Sequence, residues 1–468
     1  MTHRVVIAGA GVAAVEAVLA LRELAGPRVE VELVAPAHAL EQRPASVAAP
    51  FGFGAPAPLD LRELAKRYPV GLVAGQLAAV DVDARRARLS SGDELDYDHL
   101  LIAVGARPEP ALQGALTFSG PEDVPMMDWV LAEVARQHRR QVVIVVPSAV
   151  TWTLPAYELA IMTAAAVHEN PEATVTLVTP EREPLWIFGD SAGAAMRELL
   201  ADRGIALRTG ARAVHVTDDV LWFDSDAAMI ADTVISLPCL EGPAIDGLPN
   251  DPDGFLPTDA HGYVKGTPSV LAAGDATTYP VKQGGLATQQ ADAAAATIAH
   301  ELGALVEPRP FVPVLRGLLL TGGAPLYLRA ELDSRGAPRA NGRRARRLAG
   351  EVSSRALWWP PGKIAGRYLA PYLSTARPVA LGAEPLVDRV AGPVGAGADE
   401  HEAALNLALL LADEDAAAGD FAQAVHALDA AATLAGGVLP PPYDKRREGW
   451  LTELARAHVA GVRRQRAR

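Results

Sequence analysis

Apolar positions along this chain fall into short unbroken runs and longer stretches at helical spacing, and the two kinds alternate. His3 to Ala8 is a Val- and Ile-rich run, Val12 to Leu24 repeats apolar residues with a helical period, and Arg28 to Val34 is a second strand-like run. That order predicts a βαβ unit. The pattern returns at 139–147 (RRQVVIVVP), in a helical stretch through His168, and at 173–180 (ATVTLVTP), which predicts a second unit of the same design. Two further apolar strands end in glycine turns, one within Leu95 to Pro108 and one at Val270 to Gly274. After Pro280 an alanine-rich helix follows. Between these, 45–62 reads as a loop, Leu59 to Arg67 as a short helix and 71–91 as a set of small strands. A helix is predicted from Ser191 to Asp202, with strands near 205–209, 219–223 and 231–236. Residues 308–332 read as a hairpin turning at Gly322-Gly323.

The glycines give the first unit a chemistry. In Gly9-Ala10-Gly11-Val12-Ala13-Ala14, Gly9 permits a tight turn and Gly11 lets the backbone approach a pyrophosphate, while Ala14 still allows close packing of helix on strand. The unpaired N–H groups at the start of the helix favour negative charge there. The second strand ends in Ala35-Pro36 instead of the acid that would hold a nucleotide ribose, so that sugar must be held by backbone groups or by Glu41. The second unit has no glycine in the corresponding turn. It reads Pro147-Ser148-Ala149-Val150-Thr151-Trp152, which removes a donor and adds bulk where a pyrophosphate needs bare backbone.

Composition narrows the class. The 468 residues are half hydrophobic, enough for two or three domains, and the net charge of −13 argues against a nucleic-acid partner. No apolar run reaches the ~18 residues of a transmembrane helix, and the N-terminal run reads as a first strand, so a cytoplasmic protein is expected. A lone cysteine, Cys239, excludes an intrachain disulfide, and no metal-ligand motif is present.

The Gly9 turn, the strand and turn around Ala103 and Gly105, and the Gly274-Asp275 strand end, in this order and separation, resemble the two-dinucleotide-binding-domain FAD flavoproteins of the pyridine nucleotide-disulfide oxidoreductase superfamily. The resemblance implies an α/β fold. Two Rossmann-like domains of the glutathione-reductase type are expected, with a C-terminal β-hairpin and helical region and a small helical extension. It also implies FAD as cofactor. Gly9, Gly11, Val12, Ala14, Ala103, Gly105 and Gly274 would line its path, Asp275 would bind the ribityl chain, and Lys282-Gln283-Gly284 would form the flavin floor. Arg43 stands where relatives pass the pyrophosphate, and reads equally as a surface arginine. Lys282 reads either as a flavin contact or as the cap of a helix start. The stretch PSAVTWTLPAYELA is similar to a segment of sulfide:quinone oxidoreductases and flavocytochrome c sulfide dehydrogenases. Those carry a catalytic cysteine where this chain has Trp152-Thr153-Leu154, so a persulfide route lacks its nucleophile. Cys239 reads as an inert thiol.

The implied layout is an FAD-binding domain over 1–120 and 237–307, a degenerate nicotinamide-type domain over 121–236, a flavin-cavity region over 308–384, and a linker with tetratricopeptide-like helices over 385–468. Tyr157, Trp358 and Trp359 are candidates for a substrate cavity, although the tryptophans would serve equally to close the flavin pocket. The Arg-rich run at 335–349, with six arginines and no acid, reads as a solvated loop. The helical pair at 401–435 must bury its face on the body, on a twin in a homodimer, or on another protein. The expected activity is flavin-mediated electron transfer with a small molecule or a quinone. An NAD(P)H:quinone-type dehydrogenase and a non-catalytic flavin-binding scaffold are the alternatives.

Overall fold

In the computed structural model, which describes residues 3–53, 57–339 and 350–376 together with Leu428, the first strand β1 (His3–Ala8) is followed by helix α1 (Val12–Leu24) and strand β2 (Val29–Ala35). β1 and β2 pair in parallel from His3↔Val29 to Ala8↔Val34. Strand β3 (Gly71–Ala74) then adds to β2, and β4 (His99–Ile102) adds to the other side of β1, all parallel. The reading of 71–91 as one set of small strands is met only beyond β3. That strand is instead the edge of the main sheet, and only half-buried, so it lacks the continuous apolar signature of a central parallel strand. The antiparallel appendage itself comprises Leu77–Asp81, Arg86–Leu89 and Glu94–Asp96. There Arg86 is spent on Glu94 and Asp96 at the surface.

The second domain repeats the design. A parallel sheet in the order β5-β9-β6-β7-β8 is built from β5 (Leu116–Thr117), β6 (Gln141–Val145), β7 (Thr174–Val178), β8 (Ala206–Arg208) and β9 (Thr233–Ser236). Helix α2 (Leu154–Val167) crosses from β6 to β7. The chain then returns to the first sheet. Strand β10 (Val270–Ala272) pairs with β4 and completes the order β10-β4-β1-β2-β3. Helix α3 (Gly284–Glu301) packs on α1, and both present alanines to the contact, among them Ala13, Ala17, Ala291 and Ala294, which lets the two helices approach closely. The hairpin of β11 (Val314–Leu319) and β12 (Leu326–Glu331) is antiparallel, as its alternation predicts. Helix α4 (Leu369–Ala376) ends the described part.

The chain divides into two units, Met1–Val352 with Lys363–Glu384, and Ser353–Gly362 with Pro385–Arg468. All labelled elements belong to the first. Apart from Leu428, the 401–435 helical pair lies outside the described residues, as do the arginines from 343 to 347. Among the described residues, no helix is long and apolar enough to cross a membrane, and no group of three His, Cys, Asp or Glu side chains could hold a metal ion.

The candidate dinucleotide cradle

Strand order in the first sheet reverses at β1, whose neighbours are β2 on one side and β4 on the other. A crevice opens at the carboxyl ends of such strands. The turns after β1, β4 and β10 all lie at that end, which brings together Gly9-Gly11, Ala103-Gly105 and Gly274-Asp275 from segments that are far apart in the chain.

Each glycine answers to a different constraint. Gly9 has φ of +127°, and a Cβ there would stand 2.1 Å from the Ala103 carbonyl oxygen, so the β1 and β4 turns cross at a point only glycine can occupy. Gly11 is exposed, and nothing lies within 4 Å of where its Cβ would be. It is the N-cap of α1, with no side-chain cap and no acid in the first turn. The open approach and the free helix N-terminus are what a pyrophosphate requires. Val12 is half-buried and Ala14 fully buried against the core, while Gly105, half-buried, adopts φ of +75°.

Across the crevice the Gly274 turn is fixed from α3. Its N–H donates to Gln290 Oε1 at 2.6 Å, and Thr277 Oγ1 donates to its carbonyl at 2.9 Å. The following Asp275 is partly buried, and its carboxylate has no hydrogen-bond partner among the described residues. Burial raises its proton affinity, partly offset by the charges of Lys282 and Arg43. Lys282 Nζ lies 3.1 Å from the carbonyl oxygen of Asp275, also donates to that of Thr277, and sits 3.8 Å above the Phe255 ring. Burial brings its pKa down to about 8. Lys282 thus shapes the turn and does not cap the helix. The cap is Gln283, whose Oε1 accepts the Leu286 N–H at 2.9 Å. Arg43, half-exposed, lies 3.9 Å from Glu122 at the rim. His38, just past β2, has a buried Nδ1 without a partner among the described residues, near where the missing ribose acid would stand. An orphaned carboxylate, an orphaned imidazole nitrogen and a bare helix N-terminus fit the sugar hydroxyls and phosphates of FAD.

At the start of α3, next to its Gln283 cap, the segment Lys363 to Gly366 lies against the helix. Ile364 Cγ1 is 3.9 Å from the Cβ position of Gly284, and Ala365 Cβ is 3.5 Å from that of Gly285. Lys363 Nζ makes a buried ion pair with Glu158 of α2, whose Oε1 also accepts the Leu320 N–H at 2.7 Å. Burial raises the proton affinity of Glu158 and lowers that of Lys363, each partly offset by the other's charge, so the two are drawn toward sharing one proton. Sequence reasoning missed this pair because 205 residues separate its members.

In the second domain the turns that follow β6 and β7 pack on the chain itself. Trp152 stacks edge-on against Phe188, with ring centroids 6.0 Å apart. Glu181, past the end of β7, accepts hydrogen bonds from Tyr157 Oη at 2.6 Å, Thr179 Oγ1 at 3.0 Å and Thr153 Oγ1 at 3.2 Å. The expectation that Tyr157 lines a substrate cavity is corrected here. It is fully buried in the second-domain core with its hydroxyl committed to Glu181, and its hydroxyl proton is held more tightly than usual by burial and the Glu181 charge. Trp358 is buried and Trp359 half-buried, both in the second unit. Cys239 is half-buried, 3.5 Å from the Glu109 carbonyl oxygen, and burial raises its thiol pKa, so the thiol stays protonated.

Residues 3–297 match the pyridine nucleotide-disulphide oxidoreductase family. The chain belongs to that family, and is by family an oxidoreductase. Its fold is similar to that of sulfide:quinone oxidoreductase from the hyperthermophilic bacterium Aquifex aeolicus, with a TM-score of 0.67 at 17% identity over 83% of this chain and 93% of that one. It is also similar to a ferredoxin reductase from Rhodopseudomonas palustris, with a TM-score of 0.56 at 18% identity over 70% and 83% of the two chains. In sequence it is 28% identical over 226 residues to an NADH dehydrogenase-like protein of Mycobacterium tuberculosis, covering 44% of this chain and 56% of that protein. The chain therefore spans little more than half the length of the curated relative it matches.

Proposed function

We propose that this protein is an FAD-dependent oxidoreductase, similar to sulfide:quinone oxidoreductases but without a thiol relay, that exchanges electrons directly between flavin and a small molecule or quinone. The observation that carries this reading is the open Gly11 turn at the start of α1, against which the Gly274-Asp275 turn packs, with the Gly274 Cβ position 3.2 Å from Ala13 Cβ and no hydrogen-bond partner for the Asp275 carboxylate among the described residues. Gly9, Gly11, Val12 and the N-terminus of α1 would hold the pyrophosphate, with Arg43 at its rim. Asp275 would accept hydrogen bonds from the ribityl chain, while His38 offers Nδ1 to the adenosine side. Gln283, Gly284 and the N-terminus of α3 would face the pyrimidine edge, where helix N–H groups stabilise negative charge.

FAD, when bound, supplies the acceptance and release of an electron pair, and the protein's part is to orient it and to manage charge and protons. The Glu158–Lys363 pair suits that part. It is buried and adjacent to the N-terminus of α3, and burial raises the proton affinity of Glu158 while lowering that of Lys363, which makes Glu158 Oε1 the group on this chain suited to hold a proton there. Cys239 carries no role, being single, protonated and set between Glu109 and Glu241. Tyr157 has no part in the substrate side, and a cytoplasmic location is part of the proposal.

The name of the mycobacterial relative favours one second reading, an NAD(P)H:quinone-type dehydrogenase. Against it stands the turn after β6, which has no glycine and in which Trp152 packs on Phe188 and Thr153 donates to Glu181. The absorbance spectrum of the purified protein, followed by anaerobic stopped-flow mixing with NADH or NADPH, tests both. Flavin bands with slow, unsaturated reduction are expected. Absence of flavin defeats the first reading, and saturation at micromolar nicotinamide with reduction inside a second establishes the other.

A further inference from the structure

Between β8 and β9 the second domain carries a three-stranded antiparallel sheet, Ala213–Thr217, Val220–Phe223 and Ala228–Ile230, which has no part in the flavin reading. Its register sorts the side chains onto two faces. Val216, Leu221 and Met229 stand opposite one another, and with Phe223 they turn to the body, where Leu221 and Phe223 are buried with Val145 and Val178. The alternate positions His215, Val220, Trp222, Ala228 and Ile230 therefore share the outer face. Ile230 is 64% exposed and Trp222 37%, and Val214, at the irregularity between Ala213 and His215, is 46% exposed. Three of the eight exposed large hydrophobic side chains among the described residues thus gather on one small sheet. Single exposed apolar side chains need no account, but a contiguous apolar face marks an interaction surface. The rings of His215 and Trp222 lie nearly parallel, 15° apart with centroids at 6.0 Å, and make one flat aromatic plate. The sheet is tied to the body, since the Val216 N–H donates to the Gln113 carbonyl at 2.9 Å.

Both ends of this face are acidic. Asp218-Asp219 forms the turn between the first two strands, and Asp224 and Asp226 lie in the turn between the second and third. All four are exposed, and none has an ion pair or a side-chain hydrogen bond among the described residues. From 212 to 231 the only Lys or Arg is Arg212. That distribution selects the occupant. A flat sheet face is no pocket for a small molecule. The carboxylates repel nucleic-acid phosphates and anionic lipid headgroups. A second copy seated about a two-fold axis would bring the same four acids onto themselves. What fits is the surface of another protein on which Arg or Lys flanks an apolar anchor. The anchor covers Ile230 and the Trp222 ring, whose face attracts a cation, and the flanking cations meet the Asp turns.

We propose that the outer face of this sheet, centred on Trp222 and Ile230, is the docking surface for a basic partner protein with an apolar anchor. The inference is independent of the flavin reading, because no residue of the cradle takes part in it.

The probes are a labelled peptide that alternates arginine with leucine and its counterpart that alternates glutamate with leucine. Binding to the full-length protein is read by fluorescence anisotropy, with sedimentation velocity of the unliganded protein alongside. Trp222→Ser and Ile230→Ser remove the apolar seat. Asp218→Asn with Asp219→Asn removes charge at two positions of positive φ that asparagine also accepts. Trp129→Ser removes an exposed tryptophan on another element, the helix Val124–Ala135. Wild type should bind the arginine peptide at least roughly tenfold more tightly than the glutamate peptide, and less tightly as salt rises. The affinity should fall roughly tenfold in Trp222→Ser and in Ile230→Ser, fall severalfold in the paired Asp variant, and hold in Trp129→Ser. Where Trp222→Ser lowers the melting temperature, Ile230→Ser, at the more exposed position, decides the point. No binding by wild type, equal binding of the two peptides, or equal affinity in wild type and Ile230→Ser overturns the proposal. Self-association of wild type that disappears in Ile230→Ser also overturns it and gives the face to a second copy.

Discussion

Asp275 places a carboxylate in a crevice without a hydrogen-bond partner among the described residues, and burial makes its charge expensive to keep. Hydroxyls of a ribityl chain would supply the missing partners. Asp275→Ala leaves those hydroxyls unpaired and should weaken FAD binding by roughly 1 to 3 kcal/mol, read as fractional occupancy after dialysis. Unchanged occupancy would remove the assignment. At Lys363 the consequence is one of stability. Lys363→Met strands Glu158 as a buried acid without its cation, at a cost of roughly 3 to 5 kcal/mol. Adding Glu158→Gln should recover most of that loss in denaturant unfolding. Additive losses in the double variant would show that the two groups do not act as a pair.

Between elements, the packing of α1, α3 and α4 depends on two carboxyl groups. Glu16 of α1 is fully buried and accepts the Tyr368 N–H at 2.8 Å and the Leu369 N–H at 2.6 Å, so it caps the start of α4. Gly366 leaves room for it, since a Cβ there would lie 2.5 Å from Glu16 Oε2. Asp292 of α3 shares this site. Burial pushes Glu16 up to about 7, offset in part by the backbone N–H groups, and raises Asp292 well above its ordinary range, with the Glu16 charge adding and Arg367 opposing. Both shifts are upward, so the folded chain holds protons that the unfolded chain has already lost above about pH 4. Stability from this pair is therefore greatest in acid and declines as pH rises through about 7. Each tenfold difference in proton affinity is worth about 1.4 kcal/mol. Asp292→Asn, which keeps a donor toward Glu16 without the second charge, should flatten the fall in melting temperature between about pH 5 and pH 8. A wild-type profile already flat over that range would contradict the shared-proton account.

Across the whole molecule, what was legible in the sequence is what is local in the chain. The βαβ units, the hairpin and the glycine turns follow from runs of a few residues whose backbone needs are written in their own side chains, as with Gly9 and Gly274. The edge strand β3 escapes such a reading because its four residues carry no burial signature of their own. Tyr157 misleads for a different reason, since its partner Glu181 lies on another strand's end and only the fold brings it in. Glu158 with Lys363 and Glu16 with Asp292 are likewise products of assembly, and no spacing rule announces them. The central claim concerns the cradle that the sequence did announce. Gly11 offers the cleanest test, because a Cβ added there meets no described residue within 4 Å and its backbone, with φ of −81°, accepts any residue. FAD binding should therefore be measured in wild type and Gly11→Val by equilibrium titration, alongside their melting temperatures without cofactor. Our account predicts equal apo-protein stability, noncovalent FAD binding in the wild type, and binding at least about tenfold weaker in the variant, where the valine occupies the path of the pyrophosphate. Equal FAD affinity in the two proteins, or none in the wild type, would contradict it.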